Sequence, residues 1–140
     1  MSEKTDRATI EQAETQLRDE HKGIHVAAAE LMTIKDAPTL VDRLNNLHAL
    51  LRNHFAHEEF PGGLYDLMGA CSLQFRQEVR ELIGEHYEVL STVLSLSKRL
   101  QLEGQDGVSD AIQDVAAVVD IVRGHEKREH EMVAKAKESA

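Results

Sequence analysis

Arg52-Asn53-His54-Phe55-Ala56-His57-Glu58-Glu59 is the stretch whose reading decides the fold. Upstream of it, Leu40, Leu44, Leu47 and Leu51 recur in steps of four, three and four, the spacing of one helix face. Continuing the same step reaches His54 and then Glu58. An imidazole and a carboxylate therefore stand where core leucines would stand. Side chains four residues apart lie one above the other on a helix, so both can reach a metal held against that face. A charge placed in a core needs such a partner.

The same periodicity marks three further segments. Residues from about Ala8 to Ile34 read as a first helix with the seam Ile10, Glu14, Leu17, His21, Ile24, Ala28, Leu31. Asp36-Ala37-Pro38 ends it, and Pro38 or Thr39 opens the second helix, where proline suits a first turn. That helix carries His54 and Glu58 and stops at Phe60-Pro61-Gly62-Gly63. Leu64 to Cys71 reads as a short helical turn crossing the end of the bundle. A third helix, from about Ser72 to Leu102, has the seam Phe75, Val79, Leu82, His86, Val89, Val93, Leu96, Leu100. Glu103 to Gly107 reads as a loop. The fourth helix is expected near Ser109 or Asp110, where Asp110 and Gln113 have capping-box spacing. Its seam is Val115, Val118, Val122, His125, Glu129, Met132, Ala136. The expected fold is all-α: one domain over residues 1–140, an antiparallel up-down-up-down four-helix bundle with a flexible N-terminus over residues 1–7.

Composition agrees and narrows the function classes. A chain of 140 residues with two prolines and an abundance of strong helix formers suits one helical domain with a full core. The formal charge of −9 argues against nucleic acid and anionic membranes as partners. No apolar run approaches the ~20 residues of a membrane span, and the first residues do not read as a secretory signal. With Cys71 as the one cysteine, an internal disulfide is excluded and a cytoplasmic location is expected. Cys71 itself reads as a packing residue, with redox signalling as the sharper alternative.

The two halves of the chain repeat. Leu17-Arg18-Asp19-Glu20-His21 resembles Leu82-Ile83-Gly84-Glu85-His86, and His54-x-x-x-Glu58 resembles His125-x-x-x-Glu129. Counting residues from the connecting turns places His21 level with His54, and His86 level with His125, at 1.5 Å rise per residue. His21, His54, Glu58, His86, His125 and Glu129 are thus expected to converge at mid-bundle. One seam histidine alone is more often a satisfied core residue than a ligand. Six such groups, level with one another and without a seam lysine or arginine, would be costly to bury unmetallated.

By helical angle, His25 and His57 lie at the flanks of their seams and are candidates for additional ligands or supporting donors. His48, His130, Glu59, Glu126 and Glu131 are expected to point outward into solvent. Phe55 and Tyr87 adjoin seam residues, but the 100° step between neighbours turns them toward adjacent helices. The donor set exceeds what one tetrahedral zinc uses and suits two six-coordinate ions bridged by both carboxylates. Imidazole and carboxylate without thiolate fit iron or manganese.

The ordered pattern His21 … His54-x-x-x-Glu58 … His86 … His125-x-x-x-Glu129 resembles the hemerythrin-like, or HHE cation-binding, family over nearly the whole chain. The resemblance implies a four-helix bundle holding two iron ions, bridged by Glu58, Glu129 and an oxo or hydroxo group. It implies reaction with dioxygen, hydrogen peroxide or nitric oxide, in oxygen or redox sensing or stress defence. A catalase-like or nitric-oxide-handling enzyme and an iron-handling protein are the alternatives within that resemblance. A metal-free interaction bundle is the alternative outside it. Oxygen-carrying members have a second histidine four residues after the first on the third helix, where this chain has Leu90. They also end in His-x-x-x-x-Asp, where this chain has His130. The pattern is closer to bacterial members with His-x-x-x-Glu on both the second and fourth helices.

Overall fold

The structure, a computed structural model, describes residues 6–140. The described residues are all-α, 91% helical, with their helices packed against one another. They are α1 (Arg7–Leu31), α2 (Ala37–Glu59), the short α3 (Leu64–Cys71), α4 (Leu73–Glu103) and α5 (Val108–Ser139). Three begin on a side-chain cap that accepts a backbone N–H three residues on: Asp6 from Thr9, Asp36 from Thr39 and Ser72 from Phe75. Among the described residues no helix is long and apolar enough to cross a membrane.

The helix bounds depart from expectation at three places. The flexible N-terminus expected over residues 1–7 falls largely outside the described residues; Asp6 is a helix cap and Arg7 already helical. α1 stops at Leu31 rather than Ile34, because the chain must reach the extended conformation of Asp36 that caps α2. The expected loop over residues 103–107 is a 3-10 turn, Gly104–Gly107, entered through Gly104 at φ 66°. Helical structure therefore runs unbroken, though bent back on itself, from Leu73 to Ser139. α5 begins at Val108, and Asp110 lies inside its first turn without forming a capping box.

The core is divided. One apolar cluster contains Ile24, Leu31, Leu40, Leu51, Val89 and Val122 among others. A second contains Ile10, Leu17, Leu64, Phe75, Leu82 and Met132. Along α1 the switch between clusters falls between Leu17 and Ile24, and along α4 between Leu82 and Val89. Along α2 it falls after Phe55, and along α5 between Val122 and Met132. Of the six residues expected to converge, His21, Glu58, His86, His125 and Glu129 fall within those intervals and His54 stands one residue before Phe55. They form a polar layer between two hydrophobic clusters.

The turn after α2 fixes what lies beside that layer. Phe60 is extended (φ −66°, ψ 152°), and Gly62 has φ 83°. A Cβ on Gly63 would lie 2.2 Å from the His57 carbonyl oxygen and 2.9 Å from that of Glu58. Only glycine allows so close a turn. It sends α3 back beneath the end of α2, and Tyr65, seven residues after Glu58, reaches the polar layer.

Candidate metal centre

The six seam residues are buried, from 0% exposed at Glu129 to 5% at His21. α1 supplies His21, α2 His54 and Glu58, α4 His86, and α5 His125 and Glu129. Their donor atoms form two overlapping groups, His21, His54, Glu58 and Glu129, and Glu58, His86, His125 and Glu129. Within each group the candidate ligand atoms lie within 4.8 Å of one another. Both carboxylates belong to both groups. Either group could hold a metal ion.

The four imidazoles point the same way. His21 Nε2 is 3.2 Å from Glu129 Oε1 and His54 Nε2 is 3.4 Å from Glu58 Oε1. His86 Nε2 is 3.2 Å from Glu58 Oε1 and His125 Nε2 is 3.4 Å from Glu129 Oε2. The opposite nitrogens face outward. His86 Nδ1 lies 2.8 Å from Glu59, and His125 Nδ1 lies 2.8 Å from Glu85. A carboxylate can only accept, so the ring proton sits on Nδ1 and the Nε2 lone pair is left for the centre. His54 Nδ1 has Glu20 at 3.5 Å, and His21 Nδ1 has His130 Nε2 at 3.1 Å.

Several expectations are corrected here. Glu59 and Glu126, expected as solvated charges, face histidines: Glu59 bonds His86, and Glu126 is buried and bonds His25 Nε2 at 2.5 Å. His130, expected to point outward, meets His21. Phe55 does turn toward a neighbouring helix, α4, where it stacks on the His86 ring, centroids 3.7 Å apart and planes 8° from parallel. Tyr87 is exposed rather than facing a helix, and Cys71, expected in packing, is exposed as well. His25 and His57 belong to neither donor group; they pair with Glu126 and Glu20 respectively. Glu131 is exposed as expected, and His48 is half-buried away from the centre.

Tyr65 is the residue that the periodicity did not single out. Its hydroxyl donates to Glu129 Oε2 at 2.7 Å and lies 2.8 Å from His86 Nε2. Its only sequence signal is an aromatic just beyond Gly62-Gly63. An eight-residue helix is too short for periodicity to say which face turns inward.

Burial and crowding shift the titrations. Burial first, then the neighbouring Glu129, raises Glu58 well above the ordinary carboxyl value of 4.5. Burial acts on Glu129 too, but the closeness of Glu58, His125 and His21 outweighs it and holds this carboxyl well below 4.5. Metal-free, the pair therefore shares a proton rather than ionising fully. Burial lowers His54 to about 4, with His21 adding to the shift, and lowers His86 to about 3, with His125 adding. For His125 the cost of burial is outweighed by Glu129 and Glu85, and its pKa is raised. Burial, then Glu129 and Glu58, pushes Tyr65 up, so its proton stays on oxygen.

The donor set fits a metal. His21 Nε2, both ring nitrogens of His54, Glu58 Oε2 and Glu129 Oε1 are buried without a hydrogen-bond partner. Orphaned buried donors and acceptors cost about 1–3 kcal/mol each. Five of them around two carboxylates are hard to reconcile with a plain structural core. A cavity of about 70 Å³ reaches the layer from the α1–α2–α3 side, past Leu17, Glu20, His54, His57, Glu58 and Leu67. Comparison with protein-family models, curated proteins and solved structures gives no match.

Proposed function

We propose that this chain is a hemerythrin-like, up-down-up-down four-helix bundle that holds two iron ions and binds or reacts with a small oxidant. The observation that carries the reading is the sharing of Glu58 and Glu129 between two four-residue donor groups. Two carboxylates common to two sites suit a pair of bridged ions, one with His21 and His54, the other with His86 and His125. Donors of imidazole and carboxylate only, without thiolate, favour iron or manganese. The order of the apolar clusters along α1, α2, α4 and α5 alternates, which supports the antiparallel topology.

When bound, a pair of redox-active ions would supply electron exchange with dioxygen, peroxide or nitric oxide. The protein's own groups do the rest. Glu59 and Glu85 keep two imidazoles in the tautomer that turns Nε2 inward. The Tyr65 hydroxyl keeps a proton at Glu129 Oε2. The apolar clusters on either side exclude bulk water, and a cavity of about 70 Å³ admits only a molecule of a few heavy atoms.

Metal analysis of protein purified without a histidine tag tests the reading. The expected result is two irons per chain, reduced or absent in Glu58→Ala. Protein of full helicity and no metal would leave a metal-free bundle. Adding peroxide to iron-loaded protein separates the modes of action: oxygen release above that of free iron marks turnover, and an oxygen-dependent absorption band reversible under argon marks binding.

A further inference from the structure

The internal repeat extends beyond the six seam residues. It maps Glu20 onto Glu85, His57 onto Arg128 and Glu59 onto His130. Each of these residues lies in the shell outside an imidazole or holds one that does. Glu85 and Glu20 sit beside His125 and His54, and Arg128 and His57 hold those two carboxylates. Glu59 and His130 sit beside His86 and His21. The positions repeat, but the chemistry does not.

In the His86/His125 half, both outward nitrogens donate to carboxylates at 2.8 Å. Arg128 takes the second oxygen of Glu85 at 2.7 Å and leaves the first aimed at His125. In the His21/His54 half, the carboxylates are drawn away. Glu20 bonds His57 at 2.7 Å and stands 3.5 Å from His54. Glu126 bonds His25 at 2.5 Å and stands 3.7 Å from His21, whose near neighbour is the imidazole of His130. A carboxylate on the outer nitrogen makes an imidazole a stronger metal donor and locks its orientation. One half has two such supports and the other has none within hydrogen-bond distance.

Two further features divide the centre the same way. All of the unpartnered ring nitrogens, His21 Nε2 and both of His54, belong to the weakly supported half. The cavity opens on His54, while Tyr65 and Phe55 cover His86 on the other side.

Building on the two-ion reading, we propose that the halves are inequivalent. His86 and His125 hold a tightly bound, resident ion; His21 and His54 hold a weakly bound, exchangeable one that faces the cavity and meets the small oxidant. His130 sets the difference by occupying the place that Glu59 fills in the other half. It is a positioning residue, acting through His21.

The test is an anaerobic titration of the metal-free full chain with iron(II), read by calorimetry and by competition with a chelator. The expected result is two steps whose affinities differ by roughly 10- to 100-fold, the usual worth of an outer partner. His54→Ala should remove the weaker step and keep the tighter. His130→Glu should tighten the weaker step about tenfold, a gain that mere disturbance of the fold cannot give. Glu59→Gln should weaken the tighter step by about tenfold or more, and serves if the His130 variant does not fold. Two equal affinities, loss of the tighter step in His54→Ala, or a weaker step unmoved in folded His130→Glu would overturn the inference while leaving the two-ion reading intact. Absence of any iron binding would overturn both.

Discussion

The Tyr65 hydroxyl lies 2.7 Å from Glu129 Oε2, joining the short α3 to the last helix through a fully buried carboxylate. Replacing it with phenylalanine keeps the ring and removes the donor. Tyr65→Phe should lower the stability of the metal-free protein by about 1–3 kcal/mol, the range for stripping one partner from a buried polar group. Urea unfolding of the two proteins checks this. The iron count should stay at the wild-type value, because the two donor groups do not include Tyr65.

Metal removal should cost stability. An ion that binds only the folded chain adds about 2.7 kcal/mol when present at a hundredfold its dissociation constant. Stripping the protein with a chelator should therefore lower its melting temperature, and iron(II) or manganese(II) should restore it in a concentration-dependent way. Magnesium, which prefers an all-oxygen shell, should not. Equal melting curves for stripped and iron-treated protein would remove the case for a metal centre.

Acid should destabilise the metal-free protein in two stages. His54 and His86, held near 4 and 3, stay neutral in the folded state while the unfolded chain protonates them below its ordinary value of 6.5. Their support is complete above 6.5 and is lost as pH falls. Glu58 works in the opposite sense, since it is protonated when folded and ionised when unfolded above 4.5. His48 and His130, lowered by burial as well, add to the histidine side, so stability falls as pH drops from 6.5 toward 4.5. Below 4.5 Glu58 no longer opposes, and Glu129, whose depressed pKa stabilises only while it is ionised, joins the loss. Above 6.5 the raised His125 favours the fold as pH falls. The stability maximum should lie near pH 6.5, as urea midpoints between pH 4 and 8 would read out.

The two glycines after α2 should differ in what they tolerate. Gly62 has φ 83° but open space for a Cβ, so Gly62→Ala should cost about 1–2 kcal/mol through backbone strain alone. On Gly63 a Cβ would lie 2.2 Å from the His57 carbonyl oxygen, which only a backbone shift can relieve. Gly63→Ala should cost more than Gly62→Ala in thermal unfolding. It should also lower iron occupancy, since the strained carbonyls belong to the last turn that carries Glu58.

By itself the sequence determined the helical class, the seam of each long helix and the burial of the six polar seam residues. Each follows from a local period of 3.6 residues: stepping from Leu40 to Leu51 carries His54 and Glu58 inward whatever packs opposite. Counting along helices of fixed rise also placed the six at one level. What surrounds them was decided only by tertiary structure. Glu59, Glu126, His130 and Phe55 each sit one step along the helix from a seam residue, turned about 100° from it. At that angle a side chain meets either solvent or the neighbouring helix, and the choice depends on how closely the two helices approach. Here they approach closely enough to place Glu59 on His86 and His130 on His21. Tyr65 depended on the turn at Gly63, whose closeness is a contact between backbone atoms that side-chain patterning does not encode. Helical periodicity thus fixed which polar groups turn inward, and the packing of helix flanks fixed what each of them meets.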